Sequence, residues 1–352
     1  MSIMLSRRAV AQFLATTALL PAGLASRTAP PLSRIAFGSC ADQTRPQPIW
    51  DAILAYRPDL FIFAGDNVYG DFKDPDAAPL KLAYALTANI EGYTRLRTSV
   101  PHFAIWDDHD YGSNDGGSEF VHKAIAKEIF LEHWKASPDD IRRTREGVYD
   151  SHIIGPPGQR VQIVLLDTRW FRSPLKRTDQ RGAPGKERYL PDANPNKTML
   201  GTAQWAWLAD ELRKPADLRL LVSSVQVLVE GHGWERWGNL PLERQKLFDT
   251  IREANAKGVI FVTGDRHIGA LYHELVPGLY PLYEITSSGI NKVFRNAKEA
   301  GPNRLGDLLA AENFGTVEID WPQRRVALAL RGMSGAVERS VTIPFADIGL
   351  AP

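Results

Sequence analysis

The stretch LFIFAGD, residues 60–66, gives the strongest indication of the fold in this sequence. A continuous apolar run that stops at turn residues is typical of a strand buried on both faces. The same pattern occurs in VIFVTGD at 259–265, and the runs in FAIWDDHD at 103–110 and VQIVLLD at 161–167 also stop at a carboxylate. Such strands usually run parallel, so their carboxyl ends lie along one edge of a sheet, where ligands bind.

Four charged or titratable side chains at these strand ends are expected to converge: Asp66, Asp108, His109 and Asp265. Carboxylates that lie so close together cannot all stay ionised unless positive charge lies among them. A pair of bound metal ions is the simplest source of that charge. The sequence therefore predicts a metal centre at the sheet edge.

The composition is that of an ordinary globular protein, with 352 residues, 44% of them hydrophobic and 24% charged. This length suffices for one large domain or two small ones. The formal net charge of +1 gives no reason to expect a nucleic-acid-binding surface.

Strands and helices alternate along the chain, which favours an α/β layer fold. Helices are predicted over residues 47–56, 80–86, 93–98, 120–134 and 241–256, and further strands over 35–37, 218–225 and 280–286. The segments 315–321, 325–330 and 337–344 alternate in polarity and predict an antiparallel ending.

The N-terminus predicts a signal peptide over residues 1–25. Arg7-Arg8 precedes a mostly small, apolar stretch, which Gln12 and Thr16-Thr17 make too weak for a membrane helix. We therefore expect export by the twin-arginine or the general machinery, a periplasmic or secreted location, and no transmembrane segment in the mature chain. The alternative is a disordered tail with a chance arginine pair. Cys40 is the single cysteine, so no intramolecular disulfide can form.

Residues 171–201 do not fit a helix or strand pattern. They include a run of basic residues broken by prolines and glycines: Arg172, Lys176, Arg177, Arg181, Lys186 and Arg188. Loops of this length are usually lids, binding loops or disordered segments. A basic loop near a metal centre suits an anionic substrate, and a solvated insertion is the alternative.

Four short motifs carry a resemblance to a known family. The string GDNVY at 65–69 resembles the second signature of the calcineurin-like metallophosphoesterases, in its purple acid phosphatase version. GSC at 38–40, DDHD at 107–110 and GDRH at 264–267 are similar to those of the PhoD-like alkaline phosphatases and phosphodiesterases. Each string alone is weak, but four occur in the right order at strand ends, within about residues 34–291.

The resemblance implies an α-β-β-α sandwich of the metallophosphoesterase type, with two mixed sheets flanked by helices, in one domain over residues 32–347. It implies an exported hydrolase of small-molecule phosphoric esters that uses a metal-bound hydroxide. The implied cofactors are Fe³⁺ and Ca²⁺, and other divalent metals stay open.

The implied ligands divide into two sets. Asp66 would bridge both metals, and the thiolate of Cys40 and the phenolate of Tyr69 would bind iron. Lone cysteines are more often small buried hydrophobes, which is the alternative for Cys40. Asp108 and Asp265 would bind the second metal.

A further histidine and a substitution bear on the second metal. His267 would bind metal or orient the substrate. Gln226 stands where the superfamily carries a histidine, so the second site would be richer in oxygen and would favour calcium over zinc.

The implied catalytic groups surround these ligands. His109 would protonate the leaving group or stabilise the transition state, and Asp110 would orient His109. Asp42 and Asp71 are candidates for ligands or for groups that hold ligands.

Phosphate recognition requires cations from the chain as well. Arg169, in a motif Asp-x-Arg after a buried strand, and Arg266 would bind phosphoryl oxygens, although an ion pair with Asp167 is the alternative for Arg169. Trp234 would line the pocket and contact an organic substituent.

Two other functions remain open at this point. One is a phospholipase D-like phosphodiesterase that acts on phospholipid head groups. The other is a non-catalytic metal-binding protein of the envelope. The sequence does not decide between monoester and diester substrates.

Overall fold

Two six-stranded sheets pack face to face, and helices cover the outer face of each. The computed structural model describes residues 30–351, and the predicted signal peptide over residues 1–25 lies outside them. The predicted α/β class, with two mixed sheets flanked by helices, is confirmed. Within the described residues, no helix has the length and apolar character needed to cross a membrane.

Each sheet contains both parallel and antiparallel strand pairs. In chain order they are β1 (Arg34–Gly38), β2 (Leu60–Ala64), β3 (His102–Ile105), β4 (Asp150–Ile154), β5 (Val161–Leu165), β6 (Leu218–Ser223), β7 (Val259–Thr263), β8 (Gly269–Glu274), β9 (Leu282–Ser287), β10 (Phe314–Asp320), β11 (Arg325–Arg331) and β12 (Val337–Pro344). The first sheet has the order β12-β11-β10-β1-β2-β3, and the second has β4-β5-β6-β7-β9-β8. Strands β10 to β12 are antiparallel, as predicted for the C-terminal segments.

The helices form the two outer layers. They are α1 (Ile49–Tyr56), α2 (Ala78–Thr87), α3 (Glu91–Ser99), α4 (Asp108–Tyr111), α5 (Lys123–His133), α6 (Gly201–Arg213) and α7 (Pro241–Glu253). Buried side chains of α1, α2, α3 and α5 share one core with the first sheet, and those of α6 and α7 share another with the second.

Strand β2 shows why its apolar run forms a buried central strand. Phe61 and Phe63 belong to the core beneath the helices, whereas Leu60 and Ile62 belong to the core between the two sheets. Alternate side chains of a strand point to opposite faces, so both faces of β2 are covered. Each of these fully buried side chains contributes about 1.5–3 kcal/mol.

Helices α4 and α6 and strands β4 and β8 were not among the predicted elements. Helix α6 begins at Gly201, after the basic loop, and buries Trp205, Leu208 and Leu212. Their spacing of three and four residues is a helical signal. Strand β8 forms an antiparallel edge beside β9.

Part of the basic stretch is a folded arm, residues 176–190. The Thr178 amide donates to the Arg188 carbonyl (2.9 Å), and the Leu190 amide donates to the Lys176 carbonyl (2.9 Å). The Tyr189 amide donates to the Gly233 carbonyl (2.7 Å), so the arm is also joined to a neighbouring loop.

Candidate metal centre

Donor side chains converge where the parallel strands end. Cys40 follows β1, Asp66 follows β2, and Asp265 follows β7. Their donor atoms fall into groups in which all atoms lie within 4.8 Å of one another: Cys40–Asp66–His267, Asp66–Asp108–His109, Asp66–Asp107–Asp108–Asp265 and Asp108–Asp115–Glu235. Asp66 belongs to three of these groups, which is the arrangement that a bridging carboxylate requires.

Four of these donor residues have a left-handed backbone. The φ angles are 61° at Cys40, 48° at Asp66, 65° at Asp265 and 57° at His267. Residues with a Cβ adopt this region only at a cost of about 1–3 kcal/mol each, and such strain clusters at functional sites. The turns after the strands are therefore strained, and this strained backbone directs the four side chains toward one point.

One side of the centre offers sulfur, phenolic oxygen and nitrogen. The Cys40 Sγ lies 3.4 Å from Asp66 Oδ2 and 3.0 Å from Ser288 Oγ. The Tyr69 hydroxyl lies 3.1 Å from the same Asp66 oxygen and 3.2 Å from His267 Nε2. Thiolate and imidazole donors suit transition metals such as iron.

The other side offers oxygen only. Asp108 accepts a hydrogen bond from the Asp115 amide at Oδ2 (2.6 Å), but its Oδ1 is buried without a partner. Asp107 Oδ2 is also buried without one, as is His267 Nδ1 on the first side. Buried polar atoms are almost always satisfied, so unpartnered acceptors at one point fit bound cations. Oxygen donors are those that Ca²⁺ and Mg²⁺ prefer.

The electrostatics also call for added positive charge. Burial, followed by repulsion from Asp108, raises the pKa of Asp66 well above its usual value. Burial, followed by repulsion from Asp107, raises the pKa of Asp265 in the same way. The buried Cys40 thiol likewise has a raised pKa, through burial and the nearby Asp66. Cations at this point would hold these groups in their ionised forms.

His109 lies beside the carboxylates, and its partner is Asp71 rather than Asp110. The His109 Nδ1 is 2.6 Å from Asp71 Oδ2. Burial lowers the pKa of His109, but Asp108, Asp66 and the hydrogen bond to Asp71 outweigh it and raise the pKa to about 10.

Asp110 has a different role from the predicted one. It is fully buried and accepts hydrogen bonds from the Asp107 amide and from Asn67 Nδ2, each at 2.5 Å. Asp110 therefore fixes the turn that presents Asp108. Asp42 contacts Thr44 and Arg45 and belongs to none of the donor groups in the described residues.

Arg169 is fully buried beneath the centre. Its Nη2 lies 2.5 Å from Asp107 Oδ1, and its Nη1 lies 2.7 Å from Glu235 Oε2. The predicted alternative partner, Asp167, instead accepts from the Arg169 amide (2.9 Å). The guanidinium thus neutralises two buried carboxylates and does not reach the pocket surface.

A small cavity of about 70 Å³ opens onto the donors. Its wall includes His109, Trp234, Arg266 and Phe294. The Arg266 guanidinium stacks over the Trp234 ring, 5.0 Å from its centroid, and forms an ion pair with Glu299. Trp234 and Arg266 therefore line this cavity, whereas Arg169 does not.

Sequence reasoning missed Asp115, Glu235 and the partnership of Asp71 with His109. Asp115 and Glu235 come from irregular segments without a strand-end signal. Gln226, which stands in the place of an expected histidine, donates to Tyr272 and Thr286 and is not part of the donor groups.

Comparisons with known proteins agree with this architecture. Alkaline phosphatase D of Bacillus subtilis (strain 168) is 24% identical over 246 residues, which are 62% of this chain and 40% of that protein. The chain thus spans about two fifths of the length of this relative.

Solved structures share the fold. A structure of PhoD superposes with a TM-score of 0.66 at 16% identity, over 89% of this chain and 68% of that one. The purple acid phosphatase PPD1 from yellow lupin gives a TM-score of 0.59 at 13% identity, over 92% and 56% of the two chains. GAP50 of Plasmodium, described as the anchor in the inner membrane complex, gives 0.57 at 13% identity, over 89% of each chain. The family model of the PhoD-like phosphatases matches residues 35–292, most of the chain, and the protein therefore belongs to the PhoD-like phosphatase family.

Proposed function

We propose that this protein is a metal-dependent hydrolase of phosphoric esters, a phosphomonoesterase or phosphodiesterase. The observation that carries the proposal is the convergence of unsatisfied donor atoms around Asp66 at one end of a cavity. Family membership supports the same chemistry.

Two cations fit the donor set. Cys40, Tyr69 and His267, with one oxygen of Asp66, would hold Fe³⁺, because sulfur and phenolate donors stabilise a trivalent ion. Asp108 and Asp265, with the other carboxylates nearby, would hold Ca²⁺ or another hard divalent ion. When bound, such cations would acidify water and neutralise phosphoryl charge.

The chain's own groups would complete the hydrolysis. Water supplies the oxygen that bonds to phosphorus, the ester P–O bond breaks, and the leaving alkoxide takes up a proton. His109, held by Asp71, is the group positioned to donate that proton. Arg266 would stabilise negative charge on a phosphoryl oxygen, and Trp234 would contact the organic substituent. For Arg169 we propose a supporting role through Asp107.

The first test measures metal content and turnover on the same purified sample. We expect iron and a second metal, with hydrolysis of p-nitrophenyl phosphate and of bis-p-nitrophenyl phosphate. The ratio of the two rates ranks monoester against diester. Stoichiometric metal without turnover of either ester would favour the non-catalytic alternative, and hydrolysis of phosphatidylcholine liposomes would favour the phospholipase alternative.

The second test addresses the bridging role of Asp66. The Asp66→Asn variant should bind less metal, and its turnover should fall by at least about a hundred-fold, because the substitution removes a shared anionic ligand. Asp210→Asn, at an exposed position on α6, is the control and should retain both. Full metal content and full turnover in Asp66→Asn would refute the bridging role.

We also propose that the protein is exported, on the basis of Arg7-Arg8 and the apolar stretch at 9–25. Replacing both arginines by lysine should leave the protein in the cytoplasmic fraction if the twin-arginine route is used. Unchanged export of that variant would point to the general route, and retention of the unmodified chain in the cytoplasm would refute export.

A further inference from the structure

A second, basic cavity adjoins the metal centre. It has a volume of about 360 Å³, and Arg177, Arg181 and Arg188 contribute to its wall. Asn114, Asp115 and Arg188 line both this cavity and the smaller one at the metal donors. The two cavities are therefore neighbours that share these three residues.

The charge of this cavity is positive, because its carboxylate is already satisfied. Asp115 Oδ2 lies 2.5 Å from Arg188 Nη1 and accepts from the Tyr189 hydroxyl at 2.8 Å. Arg177 and Arg181 are exposed, and neither forms an ion pair with another described residue.

Three other charged residues of the arm are engaged elsewhere, and Lys176 lies outside the cavity wall. Lys186 pairs with Asp179 at 3.0 Å. The Glu187 carboxylate accepts from the amides of Gly185 (3.0 Å) and Gly233 (2.5 Å). The two unpaired guanidinium groups are thus the free charges of this cavity.

The arm that carries these arginines is joined to a neighbouring loop through its second half. Besides its internal hydrogen bonds, the Arg188 amide donates to the Gly233 carbonyl at 3.0 Å. The Asp115 amide donates to Asp108 at 2.6 Å, which ties the shared wall to a metal donor. This backbone bonding keeps Arg177 and Arg181 at the cavity before a ligand arrives, which lowers the entropic cost of binding.

We propose that this cavity is a subsite for a second anionic group on the substrate, while the ester phosphorus lies at the metal centre. The inference rests on the proposed function and specifies its substrate class: phosphoric esters whose alcohol also carries a carboxylate, sulfate or phosphate. Arg177 and Arg181 would bind the distal anion, and Arg188 would hold the wall between the two cavities.

The test compares p-nitrophenyl phosphodiesters that differ only in the second alcohol. In the first pair the second alcohol is 1-propanol (neutral) or 3-hydroxypropanoate (anionic). In the longer pair it is 1-hexanol (neutral) or 6-hydroxyhexanoate (anionic). Each pair has the same leaving group, so the difference in kcat/KM reports the distal charge. The metal-loaded wild type is compared with Arg177→Gln, Arg181→Gln and the double variant. Lys176→Gln removes an exposed charge from the same arm but outside the cavity wall, and is the matched control.

We expect the wild type to prefer the anionic member of at least one pair. Each arginine substitution should lower kcat/KM for that ester by about two- to five-fold, as for an exposed ion pair, and leave the neutral ester unchanged. Lys176→Gln should change neither ester.

Three results would overturn the inference. They are equal turnover of the anionic and neutral esters by the wild type, an equal loss on both esters in the arginine variants, and an equal effect of Lys176→Gln. All three leave phosphoester hydrolysis intact and so count against the subsite alone. Hydrolysis of none of the esters by metal-loaded protein would overturn the proposed function, and this inference with it.

Discussion

Replacing Arg169 by methionine removes the cation that two buried carboxylates share. Arg169 is fully buried, with its Nη2 2.5 Å from Asp107 and its Nη1 2.7 Å from Glu235. Methionine keeps most of the side-chain volume but leaves Asp107 without its cationic partner and Glu235 with Arg172 alone (3.1 Å). The variant therefore separates a supporting role in the fold from the binding of a phosphoryl oxygen.

The size of the effect follows from the burial. Removing one partner of a buried ion pair costs about 3–5 kcal/mol, because the other charge is left uncompensated. A folded unit of roughly 320 residues has an unfolding entropy of about 0.7 kcal/mol/K, so the Tm should fall by about 4–7 °C. The control, Arg95→Met, removes an exposed pair with Asp51, and its Tm should fall by about 1 °C or less.

Thermal unfolding of the metal-free protein is the assay, since bound metal would add its own stabilisation. Adding Asp107→Asn to Arg169→Met should recover part of the lost stability, because it removes the carboxylate that is left without a cation, whereas Glu235 keeps its ion pair with Arg172 (3.1 Å). If Arg169→Met kept the wild-type Tm and instead raised KM for phosphate esters, Arg169 would be a substrate-binding group and our reasoning would be wrong.

Three further predictions concern other parts of the molecule. Asp71→Asn should lower kcat about ten-fold by releasing His109, and it should cause no further loss in a His109→Asn background. Gly315→Ala should lower the Tm by about 1–4 °C, because its new Cβ would lie 2.2 Å from the Phe37 ring; an unchanged Tm would show that the strands shift freely. His133 has a pKa lowered to about 3, by burial and then by nearby cations, so the unfolded state takes up a proton that the folded state does not. The free energy of unfolding should therefore fall by about 2 kcal/mol more between pH 7 and pH 5 in the wild type than in His133→Gln, as measured by urea titration.

Much of the donor set is predictable because strand direction fixes where side chains emerge. Asp66 and Asp265 directly follow apolar runs, and parallel strands bring such positions to one edge. Asp115 and Glu235 follow no such rule. Their positions depend on contacts with residues distant in sequence, such as the ion pair between Asp115 and Arg188.

The partner of His109 illustrates a second limit. Asp110 is adjacent in sequence, but consecutive residues on a helical turn point in directions about 100° apart and do not face each other. Asp71 lies on a loop and reaches His109 only through the folded chain. Arg169 is similar: its motif predicts proximity to the centre, but the depth at which it lies depends on Glu235, which the motif does not contain.

The position of β1 at the middle of the first sheet has a consequence for the order of folding. Ile35 pairs with Leu60 on one side and with Val317 on the other. The second pairing closes a very long loop, and non-local pairings of this kind slow folding. During synthesis, one edge of β1 therefore stays unpaired until β10 is made, and its free backbone groups are a site for unwanted association with other chains. Because Cys40 directly follows β1, the sulfur donor is held in place only once the last strands have arrived.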